Sequence, residues 1–193
     1  MVSSISTTQA KRRTISMRTT RFVLACMVMF VLVVGTSLAQ NKFSGAKMCA
    51  ACHKSGKGGT AFAVWEKSAH ANAYKTLLSE EAKKIAKEKG LKVAPHEAPE
   101  CLKCHVTGGG TAKNIEASFK KEEGVTCEAC HGAASGYKML HSKGDLAKSK
   151  EAGLIKGEKN EKACVTCHNS ESPTFKGFKF DTEWAKIAHT AKK

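Results

Sequence analysis

Residues 124–137 read GVTCEACHGAASGY. Cys127 and Cys130 stand three apart, and His131 follows the second cysteine directly. The same order recurs as Cys49, Cys52, His53 in MCAACHK, as Cys101, Cys104, His105 in PECLKCHV, and as Cys164, Cys167, His168 in KACVTCHN. Disulfides suit exported chains but give no reason for a histidine after every pair. Paired zinc knuckles need no histidine at that position either. A thioredoxin-type redox pair usually occurs once in a chain. With 8 histidines in 193 residues, chance would produce four such placements on the order of once in 10⁵ to 10⁶ chains.

Covalent haem attachment explains the whole pattern. Two thiols add to the two vinyl groups on one edge of a porphyrin, and the next residue must reach the iron from one face. A histidine directly after the second cysteine does so. The sequence therefore predicts four haem c groups with their irons. Attachment falls to Cys49, Cys52, Cys101, Cys104, Cys127, Cys130, Cys164 and Cys167. His53, His105, His131 and His168 are the proximal iron ligands.

Four haems also answer a shortage of apolar bulk. Only two Trp and two Tyr occur in the chain, whereas Gly and Ala are plentiful. A chain this size with so thin a core usually needs a staple. The haems would be that core, and the apoprotein is expected to be largely unfolded. The motif-to-motif steps of 52, 26 and 37 residues are unequal, which argues against a repeat array. SEEAKKIAKEK, residues 79–89, reads as a surface helix capped by Ser79 and stopped by Gly90. Gly108–Gly110 and the GYKMLHSKG stretch read as loops. No alternating run is long enough for a strand. The expected fold is mostly α, a single haem-packed domain over residues 40–193 with long loops and little or no β-sheet.

The first 39 residues read differently. Lys11, Arg12, Arg13, Arg18 and Arg21 precede an apolar run from Phe22 to Val34, then Ser37-Leu38-Ala39. That is a basic n-region, a short h-region and a small-x-small cleavage site, so residues 1–39 are expected to be a signal peptide and the protein periplasmic. Met17 begins a better-proportioned signal and is an alternative start. An uncleaved membrane anchor is the competing reading, although the run is shorter than the roughly 20 residues of a membrane span. Cys26, inside the run, reads as apolar filler.

Beyond Ala39 the chain carries 27 lysines, no arginine and 17 acids, a formal charge of +10. Lysine is a compact point charge, while arginine makes the bidentate forks that read phosphate. This excludes nucleic acid as the natural partner and favours steered docking with an acidic redox-partner protein. Two propionates per haem would bring the ferric holoprotein to roughly +6 and the ferrous one to roughly +2.

Four histidines remain as ligands for the opposite iron faces. His70 lies in AFAVWEKSAHANAYKTLL, residues 61–78, which reads as one helix with Thr60 as N-cap and small alanines around the imidazole. His141 follows the third motif by ten residues in a glycine-rich stretch, and His189 ends the amphipathic DTEWAKIAHT. His96 sits between Pro95 and Pro99, a stretch that must be extended or turned. It reads as a structural histidine, with closure of an open iron as the alternative. A structural or surface histidine is the competing reading at each of the other three.

These stretches, in order, resemble the tetrahaem cytochrome c-554 family. The more specific ones are VWEKSAHANAYKTL and GVTCEACHG. The resemblance covers nearly all of residues 40–193. It implies an electron carrier, with hydroxylamine oxidoreductase as donor to the best-known members. It also implies His141 opposite His53, His70 opposite His168, and His189 opposite His131, leaving the His105 haem five-coordinate. His96 matches nothing in the family pattern. The connection between the third and fourth motifs is shorter than in the ammonia-oxidiser members. The leading expectation is thus an exported electron carrier and not an enzyme. The alternatives are reduction of nitric oxide or a related nitrogen species at the open His105 iron, with His96, Glu97 and Glu100 nearby in sequence, and a haem subunit of a larger membrane quinone-linked complex.

Overall fold

The computed structural model describes residues 40–55, 59–110, 112–157 and 159–189. Gln40–Lys193 form one compact unit. The expected signal peptide, with its alternative start at Met17, lies outside the described residues.

Short helices joined by turns make up this unit. The first, α1 (Ala46–His53), carries the first motif. After α2 (Ala61–Glu66) the chain makes a 3₁₀ turn, His70–Asn72, and continues as α3 (Ala73–Thr76) and α4 (Glu80–Glu88). The second motif closes α5 (Pro99–His105), and the third lies on α6 (Glu128–His131). Then come α7 (Lys138–Ser142), α8 (Leu146–Glu151), α9 (Glu161–Val165) with Cys164, and α10 (Phe180–Ile187). Among the described residues, β structure is confined to one isolated parallel bridge, Phe43 with Ile115. The mostly α expectation therefore holds. No described helix is long and apolar enough to cross a membrane.

None of these helices approaches the roughly 12–15 residues at which an isolated helix becomes marginally stable. Local signals and tertiary partners set their ends. In α4 both ends are local. Ser79 Oγ accepts the Ala82 N–H at 3.1 Å. At the other end Gly90 at φ 69° lets its N–H reach Lys87 O and the Leu91 N–H reach Ala86 O, the paired bonds of a Schellman stop.

Two expectations are corrected. The predicted helix over 61–78 is broken into α2, a 3₁₀ turn and α3, and Thr60 makes no side-chain cap. The cause lies far along the chain: the Val125 N–H takes the His70 carbonyl at 3.0 Å, and Trp65 Nε1 donates to Val125 O at 2.8 Å. The stretch around His141, expected as a loop, is the helix α7. Its carbonyls turn back inside two tight turns, with the His141 N–H on Tyr137 O and the Gly144 N–H on His141 O.

The described apolar core is small. Tyr74, Leu77, Leu102, Val106 and Phe119 form its centre, with Phe43, Cys101 and Ile115 packed around them.

Candidate functional site

Each Cys-x-x-Cys-His stretch is one helical turn. In the third and fourth motifs the histidine N–H closes on the carbonyl of the first cysteine, His131 to Cys127 and His168 to Cys164, both at 2.9 Å. Residues three and four apart share a helix face. Both thiols therefore leave the turn on one side with the imidazole next to them. The eight described cysteines are free of disulfides. Among the described residues, no group of three or more His, Cys, Asp or Glu converges as a metal site, so the cysteine pairs do not assemble the four-ligand cages of structural zinc.

The histidines meet in pairs. The rings of His53 and His141 lie 5.9 Å apart between centroids, with planes 4° from parallel. His70 and His168 lie 6.0 Å apart at 62°, and His131 and His189 lie 6.0 Å apart at 53°. An iron held by two imidazoles at about 2 Å each puts the ligating nitrogens about 4 Å apart and the ring centres about 6 Å apart. The three spacings fit an iron between each pair.

The ring tautomers suit this as well. His131 Nδ1 lies 2.9 Å from Ile155 O, His105 Nδ1 lies 2.7 Å from Ala73 O, and His189 Nδ1 lies 3.0 Å from Ile187 O. A carbonyl only accepts, so each Nδ1 carries the proton and leaves the Nε2 lone pair for a metal. Burial lowers the proton affinity of His70, helped by His168. Burial also lowers that of His131, against the opposing Ile155 carbonyl. Both favour the neutral, metal-binding imidazole.

His105 differs. Among the described residues no other histidine ring is in contact with it; its Nδ1 is shared between Ala73 O and Thr76 Oγ1 on α3. His96 sits in a turn beside the same helix, edge-on to the Tyr74 ring at 6.4 Å.

Thiols of different motifs meet across the chain, and burial, followed by Cys164 of the fourth motif, pushes Cys130 of the third up. The neighbouring Cys127 pushes the Cys49 thiol up, and Cys49 in turn draws that of Cys127 down. Burial, followed by the influence of Cys167, pushes Cys104 up to about 11. The first motif therefore adjoins the third, and the second adjoins the fourth. Beside Cys104 and Cys167 opens a cavity of about 280 Å³, walled by apolar groups including Phe43, Val106, Val125, Ala129, Ala133 and Ile155. Such a wall suits the flat body of a porphyrin.

Sequence reasoning missed two carboxylates. Glu128, between the cysteines of the third motif, is only 2% exposed. It accepts the backbone N–H groups of Ser44, Gly45 and Ala134 at 2.8 Å each. Glu123 accepts the Ala46 N–H at 2.6 Å. The start of α1 has no acidic residue and no side-chain cap of its own, so these two carboxylates cap it from about eighty residues away. The one available signal was a glutamate inside an otherwise small-residue motif.

Helical turns that present two thiols and a histidine, with histidines paired across the span of one iron, define a c-type cytochrome. Residues 48–132 match the family described as cytochrome c554 and c-prime. The chain is 33% identical over 172 residues to cytochrome c-554 of Nitrosomonas europaea, covering 81% of this chain and 71% of that protein. A solved structure of the reduced state of cytochrome c554 from Nitrosomonas europaea aligns with a TM-score of 0.47 at 26% identity, covering 79% of this chain and 80% of that one. The chain belongs to the cytochrome c-554 family, and it is a haem-c electron-transfer protein.

Proposed function

We propose that the chain binds four haem c groups in the periplasm and carries electrons one at a time between redox partners, of which at least one is acidic. Cys49 and Cys52, Cys101 and Cys104, Cys127 and Cys130, and Cys164 and Cys167 hold the porphyrins. His53, His105, His131 and His168 are the proximal ligands, with His141 opposite His53, His70 opposite His168, and His189 opposite His131. The observation that carries this reading is the set of three histidine pairs at 5.9, 6.0 and 6.0 Å, the spacing of two imidazoles on one iron.

When bound, haem supplies reversible one-electron iron chemistry, and two imidazole ligands lower its potential relative to imidazole and thioether. The protein's part is to place and insulate. The Nδ1 hydrogen bonds orient the rings, and the approach of the first motif to the third and of the second to the fourth would bring their porphyrins near enough for transfer within the domain. The lysine surface steers an acidic partner.

A second reading has one specific observation behind it. No described histidine ring faces His105, which favours a five-coordinate iron there and keeps reduction of a small nitrogen species open as an additional activity. The test of both readings is a pyridine haemochrome count with EPR of the ferric protein, before and after nitric oxide. Four haems per chain with a high-spin signal from about a quarter of the iron, altered by nitric oxide, are expected. Fewer haems overturns the four-haem carrier. Entirely low-spin iron indifferent to nitric oxide overturns the open site and enlists His96.

A further inference from the structure

Two acidic residues that the electron-carrier reading does not use lie between its first and third haem sites. Glu128 accepts backbone N–H bonds on both oxygens: Ser44 and Ala134 on Oε1, Ser44 and Gly45 on Oε2. An acceptor role on both oxygens is that of a carboxylate. Glu123 Oε2 accepts the next N–H along, that of Ala46, while its Oε1 is buried and has no hydrogen-bond partner. Among the described residues neither carboxylate has an ion-pair partner; the nearby Lys138 is taken by Glu116. The two oxyanions thus sit on the positive end of α1, the helix that ends in Cys49, Cys52 and His53.

We propose, resting on the four-haem reading, that Glu123 and Glu128 form a negative pair that fixes the first haem site against the third and lowers the reduction potentials of these two haems. Charge close to a haem in a water-poor site favours the ferric state, because the oxidised centre carries one more positive charge. The placement of the pair matches the claim: both carboxylates bond to the backbone that opens α1, and Glu128 stands between Cys127 and Cys130. Position and charge are also joined in one device. Glu128 belongs to the third motif and holds the backbone that leads into the first, so the same bonds that place the charge place the two sites.

Glu123→Gln separates charge from structure. The amide oxygen can keep the Ala46 N–H, and the NH₂ replaces the unpartnered Oε1. Glu128→Gln cannot do this cleanly, since every partner of Glu128 is a donor. Spectroelectrochemical titration of the holoprotein is the measurement, with each potential assigned through the shifted NMR resonances of its axial histidines. The expected result for Glu123→Gln is four haems, an unchanged low-spin spectrum, and higher potentials at the haems of His53 and His131 alone. The exposed control Glu122→Gln leaves all four potentials where they were. Glu128→Gln moves the same two potentials upward and lowers the melting temperature. Unchanged potentials in Glu123→Gln, or an equal shift of all four, overturn the proposal while the haem reading stands. If Glu123→Gln does not fold, the Glu128→Gln titration decides on the same criterion. A wild-type haem count below four overturns both.

Discussion

His53 and His141 face one another with ring planes 4° apart and centroids 5.9 Å apart, whereas the His70–His168 and His131–His189 pairs are tilted by 62° and 53°. The relative orientation of two axial imidazoles splits the iron d orbitals, and parallel planes split them most. The haem between His53 and His141 is therefore expected to give the most rhombic low-spin EPR signal, and the other two paired haems broader, more axial ones. His141→Met should erase the rhombic signal, replace it with that of a histidine–methionine haem, and raise that haem's potential. Three indistinguishable low-spin signals would contradict the ring geometry.

The backbone that presents His70 depends on Gly124. This glycine lies at φ 70°, ψ −133°, a region that side chains strongly disfavour. A Cβ there would meet His70 O at 2.6 Å and the Ala73 and Tyr74 nitrogens at 3.3 Å. Gly124→Ala is expected to cost about 2–4 kcal/mol. The loss should show in thermal melts and in a weakened low-spin signal from the haem of His168, since the Val125-to-His70 hydrogen bond is adjacent. A melting temperature within a degree of wild type would show that the contact is soft.

How much of this was legible in the sequence follows from how far apart the partners lie. The four motifs were legible because porphyrin chemistry confines two thiols and an imidazole to five residues. The α4 helix was legible because Ser79 and Gly90 act on atoms three or four residues away. The break after α2 was not, because its cause is the N–H of Val125, and no local pattern around His70 announces it. Lys138–Ser142 contains no helix stop before Gly144, yet its glycine-rich flanks suggested a loop. Glu128 was invisible because its partners, Ser44 and Gly45, precede it by more than eighty residues. The histidine pairings came from resemblance and not from spacing; each joins rings at least fifty residues apart.

Acid should weaken one identifiable link. Glu116 accepts from Lys138 Nζ and Ser44 Oγ, both at 2.5 Å, and these bonds, Lys138 first, hold its carboxyl below the ordinary value of 4.5. A carboxyl depressed in the folded state contributes stability that is present above its unfolded value and is lost as pH falls through the folded one. Glu116→Gln is expected to cost about 1 kcal/mol at pH 7, with the gap to wild type closing as the pH drops below about 4. Denaturant melts of both proteins across pH 3–7 test this, and a gap independent of pH would remove the ionic contribution.

Lysine steering predicts a salt dependence. The charges beyond residue 39 are 27 Lys against 17 Asp and Glu, and screening shortens their reach from about 10 Å at 0.1 M to about 3 Å at 1 M salt. Electron transfer with an acidic redox protein is expected to slow about tenfold or more over that range, measured by stopped-flow absorbance. A flat profile would mean that the lysines only solvate the surface.

The last prediction concerns folding without haem. Among the described residues the buried apolar set consists of Phe62, Tyr74, Leu77, Leu102, Val106, Phe119, Tyr137 and four alanines. The longest described helix, α4, has nine residues, too short to persist alone. Much of what would pack against these helices is the porphyrin itself, as the open space beside Cys104 and Cys167 suggests. The chain with all eight motif cysteines changed to serine is therefore expected to lose most of its helical far-UV circular dichroism and its cooperative melt. Only α4 has the local caps to leave a trace. Full helicity in that variant would mean that Tyr74, Leu102 and their neighbours suffice as a core, and that the haems are guests in a fold that forms before them.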